Sequence, residues 1–164
     1  MSEGRHVAFH GTKVGFASIL IAERYTWVRE MDLPEVKARL AATPMPDVNE
    51  EIEAIRRIYG PIAGDVISTS KRFLEMTPAA YQAMQERVIA HWPEIQSIAA
   101  GVPTPEEVSD LLSKAGLPTA AEQMGLTPQD VQEALYYGHY LRNPFTVIKL
   151  LRILGVDVVK GIQP

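Results

Sequence analysis

The stretch HGTKVGFASILIAERYTWVREMDLPEVKARLAATPMPD, residues 10–47, decides the fold class. Val14, Ala17, Ile21, Tyr25 and Val28 recur at helical spacing, which predicts one long helix from about Gly11 to Met31. Phe16, Ile19, Leu20 and Ala22 fill its other faces over the first half. An element apolar on most sides belongs in the middle of a bundle, so that half is expected to be buried. The second half gains Glu23, Arg24, Arg29 and Glu30 and is expected to emerge toward solvent. Asp32 then offers an acceptor to the free N–H groups of a second helix, with Pro34 in its first turn, running to about Ala42. Pro44 and Pro46 disallow a helix interior, so 43–47 is a loop. Asp47 opens a third helix that reaches Ile58, with Ile52, Ile55 and Ile58 as its apolar stripe.

The same punctuation continues along the chain. Tyr59-Gly60-Pro61 stops the third helix, and a fourth spans Ile62 to Leu74. Thr77-Pro78 starts the next, with Tyr81, Met84, Val88 and Ile89 inward; Pro93 kinks or restarts it, and it continues to about Ala100. Thr104 and Glu107 form a capping box, and that helix ends at Gly116. Thr119 and Glu122 open a short helix. Thr127-Pro128 starts another, with Val131, Ala134, Leu135, Gly138 and Leu141 on one face, until Asn143-Pro144 breaks it. The last helix places Val147, Ile148, Leu151 and Leu154 inward and Lys149 and Arg152 outward, and Gly155 ends it. The tail reads as a short extended piece or as disordered. No segment alternates as a half-buried strand does, and no Asn-Gly or Asp-Gly joins two such runs. The expectation is an all-α, multi-helix bundle: a mobile lead-in (1–10), a single helical domain (11–156) and a tail (157–164). Short loops make sequential helices antiparallel neighbours.

Composition narrows the function classes. A chain of 164 residues, 46% hydrophobic and 22% charged, suits one domain with its own core. A net charge of −4 gives no reason to expect nucleic acid or an anionic membrane as a partner. The absence of cysteine excludes disulfides, thiolate metal sites and thiol nucleophiles, and is compatible with a reducing compartment. No apolar run approaches ~18 residues, so no membrane span is expected. The N-terminus lacks the layout of a secretory signal, and the chain is expected to be cytoplasmic.

The histidines are His6, His10, His91 and His139. His6 and His10 share a helix face by their spacing but lack the acid of an H-E-x-x-H motif. They read as one terminal surface histidine and one at a helix entrance. His10 precedes a glycine and an apolar helix, so its ring is either fixed at the edge of a cleft or is a hydrogen-bonded structural histidine. Local sequence favours the structural reading. Gly15, Ala17 and Ser18 are small enough for close approach of backbone or ligand. His91 closes a helix end. His139, within Tyr136-Tyr137-Gly138-His139-Tyr140, lines a ligand pocket or belongs to a packed interface with polar tips at the surface; the interface is the commoner outcome. The glycine-rich fingerprints of dinucleotide and nucleoside triphosphate sites are absent. Ser18, Ser68, Ser70, Ser97, Ser109 and Ser113 lack a nucleophile elbow. Glu50-Glu51 and Glu106-Glu107 sit in first turns, where they favour the helix dipole. Arg56-Arg57 and Lys71-Arg72 read as solvated faces.

Residues 4–25, GRHVAFHGTKVGFASILIAERY, resemble a segment of the glycerol-1-phosphate dehydrogenases, particularly their bacterial branch, in the iron-containing alcohol dehydrogenase and dehydroquinate synthase-like superfamily. His10, Gly11, Val14 and Gly15 match that family's His-Gly-x-x-Val-Gly pattern. ALYYGHYLRNPFTVIKLLRILG (134–155) resembles its last two helices, and IYGPIAGDV (58–66) and VPTPEEVSDLLSKAGLP (102–118) agree with the same branch. The resemblance implies the helical, metal-binding half of a two-domain enzyme whose other half binds NAD(P). The implied reaction interconverts dihydroxyacetone phosphate and sn-glycerol 1-phosphate, using a divalent metal (Zn, Ni or Fe) held by an aspartate and two histidines. His10 matches the second histidine. The other two ligands and the nucleotide-binding domain lie upstream of the equivalent of residue 1, and His6 is at the wrong offset to replace the earlier histidine. The resemblance therefore implies a chain that binds neither metal nor NAD(P) tightly alone, is inactive by itself, and needs a nucleotide-binding domain or subunit as partner. The alternative is a non-catalytic helical remnant serving as an interaction module or homodimer.

Overall fold

The structure, a computed structural model, describes residues 10–162. Among these the chain forms nine α-helices and no strand, so the all-α expectation holds. They are α1 (His10–Glu30), α2 (Leu33–Ala42), α3 (Val48–Tyr59), α4 (Ala63–Leu74), α5 (Pro78–Ala90), α6 (Trp92–Ala100), α7 (Pro105–Lys114), α8 (Pro128–Tyr137) and α9 (Val147–Ile153). Short 3₁₀ turns occupy Gly60–Ile62, Glu122–Met124 and Gly138–Leu141. His6 and the rest of the lead-in lie outside the described residues.

Helix starts follow side chains that accept from N–H groups with no intrahelical partner. Asp32 caps α2, Asp47 caps α3, and Thr77, Thr104, Thr127 and Thr146 cap α5, α7, α8 and α9. The Thr104–Glu107 box closes in both directions, and Thr127–Asp130 forms a second one. Pro93 permits a restart: α5 ends at Ala90 and α6 opens at Trp92. The short turn near residue 122 differs from expectation. The Gln123 side-chain oxygen, not Thr119, accepts there from the Thr119 and Ala120 N–H groups.

Burial departs from expectation in α1 and in α9. In α1 burial is greater in the second half than in the first, although Phe16 is buried and Glu30 is exposed. Val14 is 50% exposed, and Ala17 and Ser18 are also exposed, whereas Ala22, Arg24 and Val28 are buried. Arg24 and Arg29 of the second half tie it to other parts of the chain. The Arg24 guanidinium donates to the Val158 carbonyl at 2.9 and 2.6 Å, pairs with Glu23 and lies 4.6 Å from the Trp27 ring centre. Arg29 donates to the carbonyls of Ala99 and Val102, beyond the end of its own helix. In return Trp92 Nε1 donates to the Met31 carbonyl at 3.1 Å, and Gln96 Nε2 donates to Met31 and Arg29 carbonyls at 2.9 and 3.1 Å. The carbonyls that each helix leaves free at its C-terminal end are thus answered by the other.

Lys149 and Arg152 of α9, expected outward, are respectively buried and nearly so. Val147, Ile148, Leu150, Leu151 and Ile153 are buried with them, so the helix is enclosed on all sides. The tail is neither extended nor loose over its described part. It turns, Val158 is wholly buried, and Gln132 Nε2 donates to the Ile162 carbonyl at 2.8 Å. Neighbour relations also depart from the simple rule. α3 packs on α4 and α5 on α6, but α1 packs mainly against α6, α7 and α9. Gly15 sits where an added Cβ would stand 2.9 Å from a Leu112 methyl, so its small size serves the α1–α7 contact. One large core surrounds α9, and a smaller one joins α3 and α4 through Ile55, Val66, Leu74 and Tyr140.

Gly155 ends α9 with φ at +64°, and a Cβ placed there would strike the Thr43 side chain. Gly155→Ala is expected to lower stability by about 1–3 kcal/mol, from left-handed backbone strain plus crowding. The shift of the urea unfolding midpoint measures it.

Candidate functional site

His10 is the first residue of α1 and is exposed. The spacing 10, 13, 17, 21 places it on the same helix face as Lys13, Ala17 and Ile21. Those three residues form one wall of a groove of about 690 Å³. Val131 and Leu135 of α8 and Val147 and Ile148 of α9 form the facing wall. Arg142 and Phe145, from the loop before α9, complete it. The groove is mostly apolar, with the cations Lys13 and Arg142 and the acid Asp130 among its lining residues. Of the small residues Gly15, Ala17 and Ser18, only Ala17 lines it.

His139 also lines this groove while being 4% exposed. Its ring stacks on Tyr140 with centroids 3.9 Å apart and meets Phe73 edge-on. Of the Tyr-Tyr-Gly-His-Tyr run only Gly138 and His139 line the groove, while Tyr140 is wholly buried and presents no polar tip to the surface. Arg152 NH1 stands 2.5 Å from His139 Nε2 and 2.9 Å from the Tyr140 hydroxyl. A guanidinium can only donate, so Nε2 is the acceptor and the ring proton is assigned to Nδ1. Nδ1 is buried without a hydrogen-bond partner among the described residues. Burial, then the charges of Arg152 and Lys149, lower the His139 pKa to about 3.

Arg152 is held in turn by Glu51. NH2 donates to Oε1 at 2.6 Å and NH1 to Oε2 at 3.1 Å, a two-pronged pair between α9 and α3. The guanidinium also lies 4.7 Å from the Tyr136 ring centre. Glu51, read from sequence as a first-turn charge, is therefore also a cross-bundle anchor. Lys149 Nζ donates to the carbonyls of Arg142, Asn143 and Pro144 at 2.6, 3.3 and 3.0 Å and fixes the loop that walls the groove. Periodicity alone assigned both cations to a solvent face. The signal that could have placed them is that VIKLLRIL is too apolar for a helix with any exposed side.

The other sequence candidates are separate from the groove. His91 lies at the junction of α5 and α6, exposed, with Nδ1 3.7 Å from Glu94. Arg56 pairs with Glu53, Lys71 lies 3.7 Å from Glu75, and Arg57 donates to the Tyr137 hydroxyl. No group of three or more His, Asp or Glu side chains able to hold a metal stands among the described residues. A catalytic metal usually needs about three protein ligands, so these residues do not by themselves fit one. No described helix is long and apolar enough to cross a membrane.

Glu51→Ala leaves the Arg152 charge without its carboxylate and is expected to cost about 3 kcal/mol in denaturant unfolding. For His139, the unfolded ring titrates near its ordinary value of about 6.5, above the folded value. The unfolded chain therefore binds the extra proton between those values. Stability from this group is intact above about pH 6.5 and falls on acidification toward 3, by up to about 1.4 kcal/mol per pH unit. Urea titrations between pH 7.5 and 5 should show the decline in the parent and a shallower one in His139→Gln.

The chain is similar to two curated proteins. It is 33% identical over 104 residues, 63% of this chain and 24% of that protein, to glycerol-1-phosphate dehydrogenase [NAD(P)+] of Geobacillus stearothermophilus. It is 22% identical over 152 residues, 92% of this chain and 28% of that protein, to glycerol-1-phosphate dehydrogenase [NAD(P)+] of Geobacillus thermodenitrificans (strain NG80-2). The chain thus spans about a quarter of the length of these relatives. No family model matches it, and no solved structure matches it.

Proposed function

We propose that this chain is the helical half of a glycerol-1-phosphate dehydrogenase-like oxidoreductase and works only against an NAD(P)-binding domain. The observation that carries this reading is the similarity to the two Geobacillus dehydrogenases, which runs over 92% of this chain in one of them. The groove beside α1 supports it, because His10 lies on the groove-lining helix face and is free to reach toward a facing domain. In this reading His10 is one donor to a divalent metal (Zn, Ni or Fe) whose other ligands come from outside the described residues. NAD(P) is held by the partner domain. The chain's own contribution is to present the imidazole on a rigid helix and to exclude water with the apolar groove. The substrate pair is dihydroxyacetone phosphate and sn-glycerol 1-phosphate.

The test mixes the chain with the nucleotide-binding half of the G. stearothermophilus relative and follows NAD(P)H oxidation with dihydroxyacetone phosphate and Zn²⁺ or Ni²⁺. Turnover is expected from the mixture and not from the chain alone, and His10→Ala should reduce it by about 100-fold or more, the scale of losing a metal donor. A folded mixture without turnover, or a His10→Ala mixture equal to the parent, overturns the proposal.

One observation favours a second reading, a non-catalytic interaction or dimerisation module. Val14 of α1 and Leu111 of α7 are 50% and 69% exposed, an apolar surface suited to a partner or a second copy. Under that reading sedimentation shows a dimer that Val14→Glu or Leu111→Glu dissociates, and reconstitution yields no activity.

A further inference from the structure

A pocket of about 580 Å³ lies between the end of α4, α5, α6 and the loop entering α9. Phe73, Met84, Ile95 and Phe145 give it an apolar interior. Its charged lining residues are Arg72, Arg87 and Lys149, all cations, in a chain whose net charge is −4. No aspartate or glutamate lines it.

The three cations have different roles. Lys149 is 1% exposed, and its three carbonyl acceptors require three N–H donors, which only the ammonium form supplies. Its hydrogens are engaged, so it provides a fixed positive charge behind the pocket, 5.6 Å from the Phe73 ring centre. Arg72 and Arg87 are exposed at the rim, and among the described residues neither side chain has a hydrogen-bond or carboxylate partner. Arg39 and Arg56, by contrast, each pair with an acid one turn away, Glu35 and Glu53. Here two forked donors stand free over an apolar cavity backed by a third charge. Such donors grip a phosphate or carboxylate with short, charge-assisted bonds.

We propose that this pocket binds an organic anion, a phosphate monoester or carboxylate on an apolar body, with Arg72 and Arg87 on the head and the body against Phe73, Met84, Ile95 and Phe145. The proposal is independent of the dehydrogenase reading, since it concerns binding to this chain with no nucleotide or partner domain present.

Calorimetric titration of the full chain with octyl phosphate, octanoate, octanol and inorganic phosphate tests it, alongside methyl NMR. One-to-one binding of octyl phosphate or octanoate is expected, with shifts at Met84, Val88 and Ile95. Arg72→Ala and Arg87→Ala should each weaken it about tenfold, the usual scale for one charge-assisted contact. Both sites are exposed, so the variants should fold, and Arg56→Ala on α3 should leave affinity unchanged. The stronger of the two anions identifies the head group. Octanol binding as tightly as octyl phosphate, inorganic phosphate binding equally well, shifts confined to other methyl groups, unchanged affinity in both arginine variants, or no binding at millimolar concentration would each overturn the proposal.

Discussion

A short helix enclosed on every side must satisfy any charge it carries within the protein, and α9 carries two. Arg152 meets this requirement by reaching Glu51 on α3, with the Tyr140 hydroxyl and His139 Nε2 as further acceptors. Lys149 meets it by gathering three consecutive carbonyls of the preceding loop. A buried charge without partners costs several kcal/mol, so these contacts constrain where α3, the 138–141 turn and the loop can lie. His139 stays neutral in this setting first because its ring is buried, and then because a proton on it would face the charges of Arg152 and Lys149.

The same arrangement shapes both cavities. The loop held by Lys149 supplies Phe145 to the groove along α1 and to the pocket beside α5. One face of this loop therefore borders the His10-bearing helix, and the other borders the free arginines. α1 divides along its length for a related reason. Its second half is clamped between Trp92 and Gln96 of α6 and the Val158 carbonyl, while its first half has α7 on one side and the open groove on another. An apolar helix surface left open in this way leaves room for a partner, as the proposed reading requires.

Much of the architecture was legible in the residues themselves. Asp32, Asp47, Thr77, Thr104 and Thr127 mark helix starts because a cap bond spans two or three residues and needs no tertiary partner. Pro44, Pro46 and Pro93 mark interruptions for an equally local steric reason. Gly155 marks the end of α9, although the contact with Thr43 that also demands a glycine there joins distant parts of the chain. Of the candidate site, sequence singled out His10 and the His139 run. It could not foresee that His139 packs and lines a groove at once, nor that Arg24, Lys149 and Arg152 turn inward. Hydropathy treats a cation as solvent-seeking, and it is blind to carbonyl and carboxylate acceptors supplied from far along the chain.

By itself, then, the sequence determined the all-helical class, the starts of most helices, and an imidazole at the entrance of α1. These rest on interactions within a few residues. The tertiary structure decided which half of α1 is buried, which cations become internal anchors, and where the two cavities open. Those outcomes depend on contacts between residues such as Arg24 and Val158, or Glu51 and Arg152, and such partners are chosen only when the helices pack.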